Sequence, residues 1–528
     1  MKKIALLLAL MLLCLTAFAL GEEPAVTFKD VKAIYDAGKY DEAFPLFEQL
    51  AAQGDADAMR YLGYLYEDGN SPSGIADYPN ALKLYTQSAD LGNAKAMRAI
   101  GAGYYSGIFC DGTPDYETAY DWFCKAVANG DTYSNYAIGN MYYHARLNGG
   151  VADYAAAYDY FTLAAEANND NALYYLGMMY QDGKHVAQDD QKAFEYFTTS
   201  ANMGNTFGMH ELADGYKSGV FSSDVPDYDM ALTFYLQAAQ GGHSCAPSHV
   251  EDLLKNYTLS LDSLLKADAA GYAKASHLIT DLYHKGSTLE DGTVVIAPDH
   301  ARMLAYLEEK YAADTQDVYL LSWYGFLLCG NTDQDICPAD YPRALEVYTK
   351  AADLGDSYSM WQIGEIYYYG NLGEADYALA LDWYIKAEEA GRTGLTNRII
   401  ELCNNGVVQE DGTVLLAPDH VRLLAYLEGL YAKDTQDAYA LSWLGWLLCG
   451  NSQQDVCEAD YIRAFEVYKK AADLGSGYSM CQIGKMYHSG ELGAVDLVAA
   501  EAWYRKAFDA GYAEAEESLN ALAGAKAE

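Results

Sequence analysis

Ser263-Leu264-Leu265-Lys266 places a lysine one helical turn after a serine. An amine in that position could take the hydroxyl proton and free a nucleophile for acyl transfer. It is the only arrangement of its kind in the sequence. There is no G-x-S-x-G, H-E-x-x-H, Gly-rich phosphate loop or EF-hand pattern. The ten histidines show no ligand spacing. His300 and His420 each follow Pro-Asp and read as surface residues in the first turn of a helix. The C-x7-C cysteine pairs, Cys329/Cys337 and Cys449/Cys457, lack the C-x2-4-C spacing and nearby histidines of a zinc site. No metal, cofactor or catalytic residue is therefore assigned.

The serine-lysine pair has few companions. Penicillin-recognising hydrolases follow S-x-x-K with S-x-N and then K-T-G. Here the nearest match to K-T-G, Lys217-Ser218-Gly219, precedes the serine instead of following it. Such a hydrolase of the cell envelope stands as the enzymatic alternative, and Ser263 otherwise reads as an ordinary helix residue. Composition narrows the field further. The 528 residues carry 34 basic and 75 acidic side chains, a formal charge of -41. That charge would repel nucleic acid and anionic lipid. It suits cationic partners, and it leaves a calcium-binding or adhesive surface protein as a third reading. With 51% apolar residues the chain can bury a large core.

The first residues read as an address. Lys2 and Lys3 precede an apolar run, Ile4 to Leu15, and then Ala17-Phe18-Ala19. This is the pattern of a secretory signal, too short to span a bilayer. It predicts cleavage after Ala19 and a periplasmic or secreted product without stable membrane insertion. Cys14 does not suit a lipid anchor, because bulky Leu13 precedes it.

The elements that would have to position any site are repeats. An Asp-Tyr start, an alanine and aromatic stripe, a Gly turn and an Ile-Gly phrase recur. One copy runs Asp77-Tyr78, Ala81, Tyr85, Ala89, Gly92, Ile100-Gly101, Tyr104, Gly107. Copies are about 36 to 45 residues apart, except for one long step across 243–270. Residues 290–391 also match 410–511 at a constant offset, a duplicated three-copy block. Within a copy, apolar residues follow Ala81 at helical spacing. The preceding Asp suits an N-cap, Pro79 and Pro342 suit a first turn, and Gly92 suits a helix end. Gly101, in the second helix, would let neighbouring backbones approach. Each copy thus reads as two antiparallel helices, A and B, which must stack to bury both faces.

The repeated phrase resembles the Sel1-like repeat, a relative of tetratricopeptide repeats. It is matched at Ala119, Trp122-Phe123, Ala126, Gly130, Ile138-Gly139 and Tyr142, and again at Ala380, Trp383-Tyr384, Ala387 and Gly391. The resemblance implies an all-α protein, a right-handed α/α superhelical solenoid of about twelve hairpins. The predicted organisation is a signal peptide (1–19), an array (20–242), a degenerate unit (243–270) and a second array (271–528). Two copies depart from the pattern by an insertion. In these, Asp291-Gly292 and Asp411-Gly412 suit tight hairpin turns with φ > 0, which predicts two small β-ribbons.

Cysteine usage follows from export. Cys329/Cys337 and Cys449/Cys457 are equivalent under the duplication and bracket a helix-helix connection. Cys110 and Cys124 flank a comparable one. In an oxidising compartment such pairs read as disulfide staples; the alternative is free thiols acting as small hydrophobes. Secreted cysteine-rich Sel1 proteins also carry C-x7-C bridges, there joining the two helices of one hairpin.

One surface position stands out. Two residues after the helix A alanine lies about 200° around the helix from the buried arc. There stand Asp121, Asp159, Glu195, Glu346, Asp382 and Glu466, with Thr233 in one copy. The resemblance places helix A along a concave groove, so the row could hold a cationic peptide, protein segment or glycan. Lys125, Lys350, Lys386 and Lys470 follow four residues later, at ion-pair spacing, so the row could equally be a solvated face. The expected function is a non-catalytic protein-interaction scaffold.

Overall fold

Asp77, Asp115, Asp153, Asp227, Asp340, Asp376 and Asp460 each cap a helix A, accepting a backbone N–H three residues on. For Asp77 the donor is Asn80, at 3.1 Å. Pro79 and Pro342 lie in the first turn, where a missing N–H costs nothing. Gly92 follows its helix with φ 85°. The computed structural model describes residues 26–288, 294–330, 338–452 and 457–525. The chain is 68% helical, with 27 helices and two small antiparallel strand pairs among the described residues.

The chain divides into two compact units, Met1–Lys274 and Ala275–Glu528. In each, helices A and B alternate as an α/α solenoid, and most B helices pack mainly on the helix A that follows. Among the described residues, thirteen A–B pairs follow a short helix, Phe28–Asp36. The extra pair beyond twelve comes from residues 243–270. These hold a helix B, Ala246–Asn256, and a shortened helix A, Leu261–Ala269.

The core repeats with the hairpins. Helix A contributes an alanine and a buried ring, such as Ala119 and Phe123 or Ala380 and Tyr384. Helix B contributes an aliphatic residue and a glycine. That glycine does not serve a backbone-backbone approach. A Cβ at Gly101 would lie 2.8 Å from the Phe123 ring, and one at Gly364 would lie 2.6 Å from Tyr384. The missing side chain is the socket for the ring of the next helix A.

Both insertions form two-stranded ribbons: Ser287–Thr288 with Val294–Ile296, and Val407–Val408 with Val414–Leu416. The Asp291-Gly292 turn lies outside the described residues. In the second ribbon only Gly412 takes a positive φ, 86°. The Gln409 amide donates to Thr413 O at 2.9 Å and closes a three-residue loop. Val407 and Leu416 pack on the core; Val408 and Val414 face solvent. No helix among the described residues is long and apolar enough to cross a membrane.

Candidate functional site

The acidic row is carried by successive A helices within each unit. In the first unit Asp121, Asp159 and Glu195 are exposed. In the second, Glu346 and Glu466 are exposed, and Asp382 is half-buried against Arg422. Glu346 accepts a bond from the Tyr311 hydroxyl at 2.8 Å. Burial, then Glu346 itself, pushes that hydroxyl up to about 12.

The lysines expected to neutralise the row do not turn to it. Lys350 pairs with Asp314 and Lys470 with Asp434, each in the turn ending the preceding helix A. Lys125 and Lys386 lie over the rings of Trp122 and Trp383, at 4.1 and 4.2 Å. A tryptophan three residues back offers a desolvated face that competes with an exposed carboxylate four back. The spacing was right for an ion pair; the aromatic neighbours and the cross-helix aspartates took the cations.

The serine-lysine pair comes apart in the fold. Ser263 is buried, while Lys266 reaches back to Asp262 at 2.7 Å. Lys217 is held by Asp252, also at 2.7 Å. The cysteines are free thiols: Cys110, Cys124, Cys329, Cys449 and Cys457 among the candidates, with Cys337 outside the described residues. Cys457 Sγ donates to Leu447 O at 3.5 Å. Burial pushes the Cys449 thiol up to about 11, and neighbouring Glu491 and Cys457 add to the effect.

His300 and His420 are not on the surface. Both are buried. His284 Nδ1 lies 3.0 Å from His300 Nε2, and His420 lies between Ser452 (2.6 Å) and Asn404 (3.0 Å). The preceding Asp-capped turn rolls the imidazole inward onto the previous helix B, a direction that spacing alone does not give.

A second feature was missed because it joins positions 33 to 40 residues apart. The residue two before the Ile of one helix B meets the residue opening the next helix B. Arg98 lies 3.2 Å from Asp131, His277 2.8 Å from Asp317, and Ser322 2.7 Å from Asp356. This slot is a polar bridge between consecutive B helices. In the second unit it floors an open, mostly apolar cavity of about 710 Å³, walled by Tyr319, Trp323, Phe326 and Tyr358. In the first unit the same slot brings together His210, His243 and Cys245. Only comparison of repeats in register could have exposed it.

Stacked helical hairpins with an exposed row on one helix face define a repeat protein of the α/α solenoid class. Nine segments between residues 56 and 512 match the Sel1 repeat model: 56–93, 94–131, 132–169, 170–205, 206–243, 319–356, 357–391, 438–476 and 477–512. The chain belongs to the Sel1 repeat family. The unmatched stretches between them contain the irregular unit and both ribbons. Proteins of this family generally act as protein-interaction scaffolds.

The chain is 25% identical over 214 residues to chitin synthase regulatory factor 3 of Schizosaccharomyces pombe; the match covers 40% of this chain and 18% of that protein. The chain therefore spans about a fifth of the length of that relative. Among solved structures it is similar to c5321, a protective antigen of uropathogenic Escherichia coli strains displaying an SLR fold. That match is 23% identical, covers 84% of this chain and 90% of the other, and has a TM-score of 0.32. A Sel1 repeat protein from Oxalobacter formigenes is 24% identical, over 46% of this chain and 95% of its own, with a TM-score of 0.38.

Proposed function

We propose that the chain is an extracytoplasmic, non-catalytic scaffold that holds a cationic peptide or protein segment on the acidic row of its A helices. The observation that carries this reading is the direction of the lysines. Lys125 and Lys386 lie over tryptophans, and Lys350 and Lys470 go to cross-helix aspartates, so the row keeps its negative charge except at Asp382, which pairs with Arg422. Exposed carboxylates repeated on successive helices attract a cationic chain over a long contact and disfavour acidic competitors. The strongly negative chain also disfavours nucleic acid. Lys266, engaged by Asp262, does not serve as a base for Ser263. Export rests on Lys2, Lys3, the Ile4–Leu15 run and Ala17-Phe18-Ala19.

The test is a pull-down from cell-envelope and secreted fractions with two baits, read by mass spectrometry. One bait carries the natural row. The other has Asp121, Asp159, Glu195, Glu346, Asp382 and Glu466 changed to Asn or Gln. A basic partner retained only by the first supports the reading. A partner held equally by both sinks the row as the site. Export is checked by the N-terminal sequence of the protein recovered outside the cytoplasm, expected to begin at Leu20.

A further inference from the structure

We infer that His210, His243 and Cys245 form a binding site for a divalent transition metal, with zinc the best-fitting ion. The three ligand atoms lie within 4.8 Å of one another. Cys245 Sγ is 3.3 Å from His210 Nε2 and 3.5 Å from His243 Nδ1. Tetrahedral zinc with ordinary Zn–S and Zn–N bonds sets neighbouring S and N atoms about 3.5 Å apart. The thiol can donate to only one of the two nitrogens, so a second hydrogen bond needs the other imidazole to carry its proton on the nitrogen facing sulfur. A shared cation accounts for both. Two imidazoles and a thiolate suit zinc better than magnesium or calcium, which take oxygen.

The groups behind the ligands fit as well. The Asp214 carboxylate lies 3.5 Å from His210 Nδ1, the nitrogen facing away from Cys245. The Tyr235 hydroxyl donates to the other Asp214 oxygen. A carboxylate behind a ligating histidine fixes its tautomer and leaves the far nitrogen's lone pair for the metal. His249 flanks the site, its ring centroid 5.1 Å from that of His210. Cys245 is exposed, so three protein ligands leave a fourth position toward solvent.

The repeats supply an independent observation. His210 stands in the slot that holds Arg60 and Arg98 in earlier copies. His243 stands where Asp55, Asn93, Asp131, Asn169 and Asn205 each accept a backbone N–H at the start of helix B. With His243 there, the helix begins later, at Ala246, and its N-cap residue, Cys245, makes no side-chain capping bond. A stabilising cap has been exchanged for a metal-ligand side chain where it meets two others. Local rules are given up in this way at functional positions.

Binding exchanges the Cys245 thiol proton for the cation and releases that proton to solvent. The test uses the full chain, reduced and stripped with chelator, titrated with Co²⁺ and then Zn²⁺. One cobalt per chain is expected, with a thiolate-to-cobalt charge-transfer absorption that zinc abolishes. Cys245→Ser should lose that absorption. His243→Asn restores the capping residue of the other repeats, so it should fold, yet bind cobalt at least about tenfold more weakly; Asp214→Asn should weaken binding about 10- to 100-fold. No charge-transfer band on adding cobalt, the same band in Cys245→Ser, or full affinity in a folded His243→Asn would each overturn the assignment.

Discussion

The Lys470 ammonium lies 2.5 Å from the Asp434 carboxylate, in the turn ending the preceding helix A, and makes no pair with Glu466 four residues back on its own helix. Lys350 and Asp314 repeat the arrangement one block earlier. The cation ties two repeats together and leaves the row acidic. Binding of an oligolysine peptide should therefore weaken steeply as salt rises, because the contact is between exposed charges. The six-site Asn/Gln protein should bind far more weakly and lose most of that salt dependence. Titration calorimetry at two ionic strengths checks both. Lys470→Ala should change stability by less than about 1 kcal/mol, since Asp434 is largely exposed.

The glycine sockets predict opposite effects for one substitution. At Gly364 an added methyl would lie 2.6 Å from the buried Tyr384 ring, so Gly364→Ala should destabilise by about 1–3 kcal/mol. Gly429 also sits in a helix, with nothing within 4 Å of a new Cβ. Gly429→Ala should stabilise by about 0.4–1 kcal/mol through helix propensity and a less flexible unfolded chain. Denaturant midpoints of the two variants should move in opposite directions.

The repeat, the Asp caps, the alanine-aromatic stripe and both ribbons were legible because each is local. A cap reaches three residues and a helix face seven or eight. What spacing misjudged depended on neighbours about 16 to 40 residues away. Lys350 had the spacing for Glu346 but pairs with Asp314. His420 read as a surface residue but is buried between Asn404 and Ser452. His210 and His243 show no ligand spacing along the chain, yet the stacking of B helices makes them neighbours. In a solenoid the second coordinate of every contact is the repeat number, so a site that crosses repeats is visible only with the copies in register.

The paired cysteines carry a prediction tied to export. Cys449 ends one helix B, and Cys457 lies in the connection that follows. Both are thiols in the structure, and Cys457 is close enough to Cys449 to raise its proton affinity. In an oxidising compartment a bridge between them should form. Closing so short a loop should add about 2.5 kcal/mol by the chain-entropy relation. Peptide mass spectrometry of exported, unreduced protein should find the 449–457 linkage. Cys457→Ser should lower the denaturant midpoint of oxidised protein and leave that of reduced protein nearly unchanged.

Glu67 sets a pH dependence whose sign can be worked out. It lies half-buried at the end of a helix B and accepts the hydroxyl of the fully buried Tyr85 at 2.6 Å. Burial raises its carboxyl above the usual range; the Tyr85 bond opposes this, and Asp68 adds to it. The folded state therefore holds this proton more tightly than the unfolded chain does. Below about pH 4.3 the group is protonated in both states and contributes no pH dependence. As pH rises past that value the unfolded chain loses the proton first, so stability falls until the folded carboxyl has also titrated. Glu67→Gln keeps an acceptor for Tyr85 and removes the titration. Its melting temperature should exceed that of the natural protein at pH 7 to 8, and the gap should shrink steadily toward pH 4. A gap that stays constant, or widens in acid, would show that the Tyr85 bond to the charged carboxylate outweighs the cost of burying it.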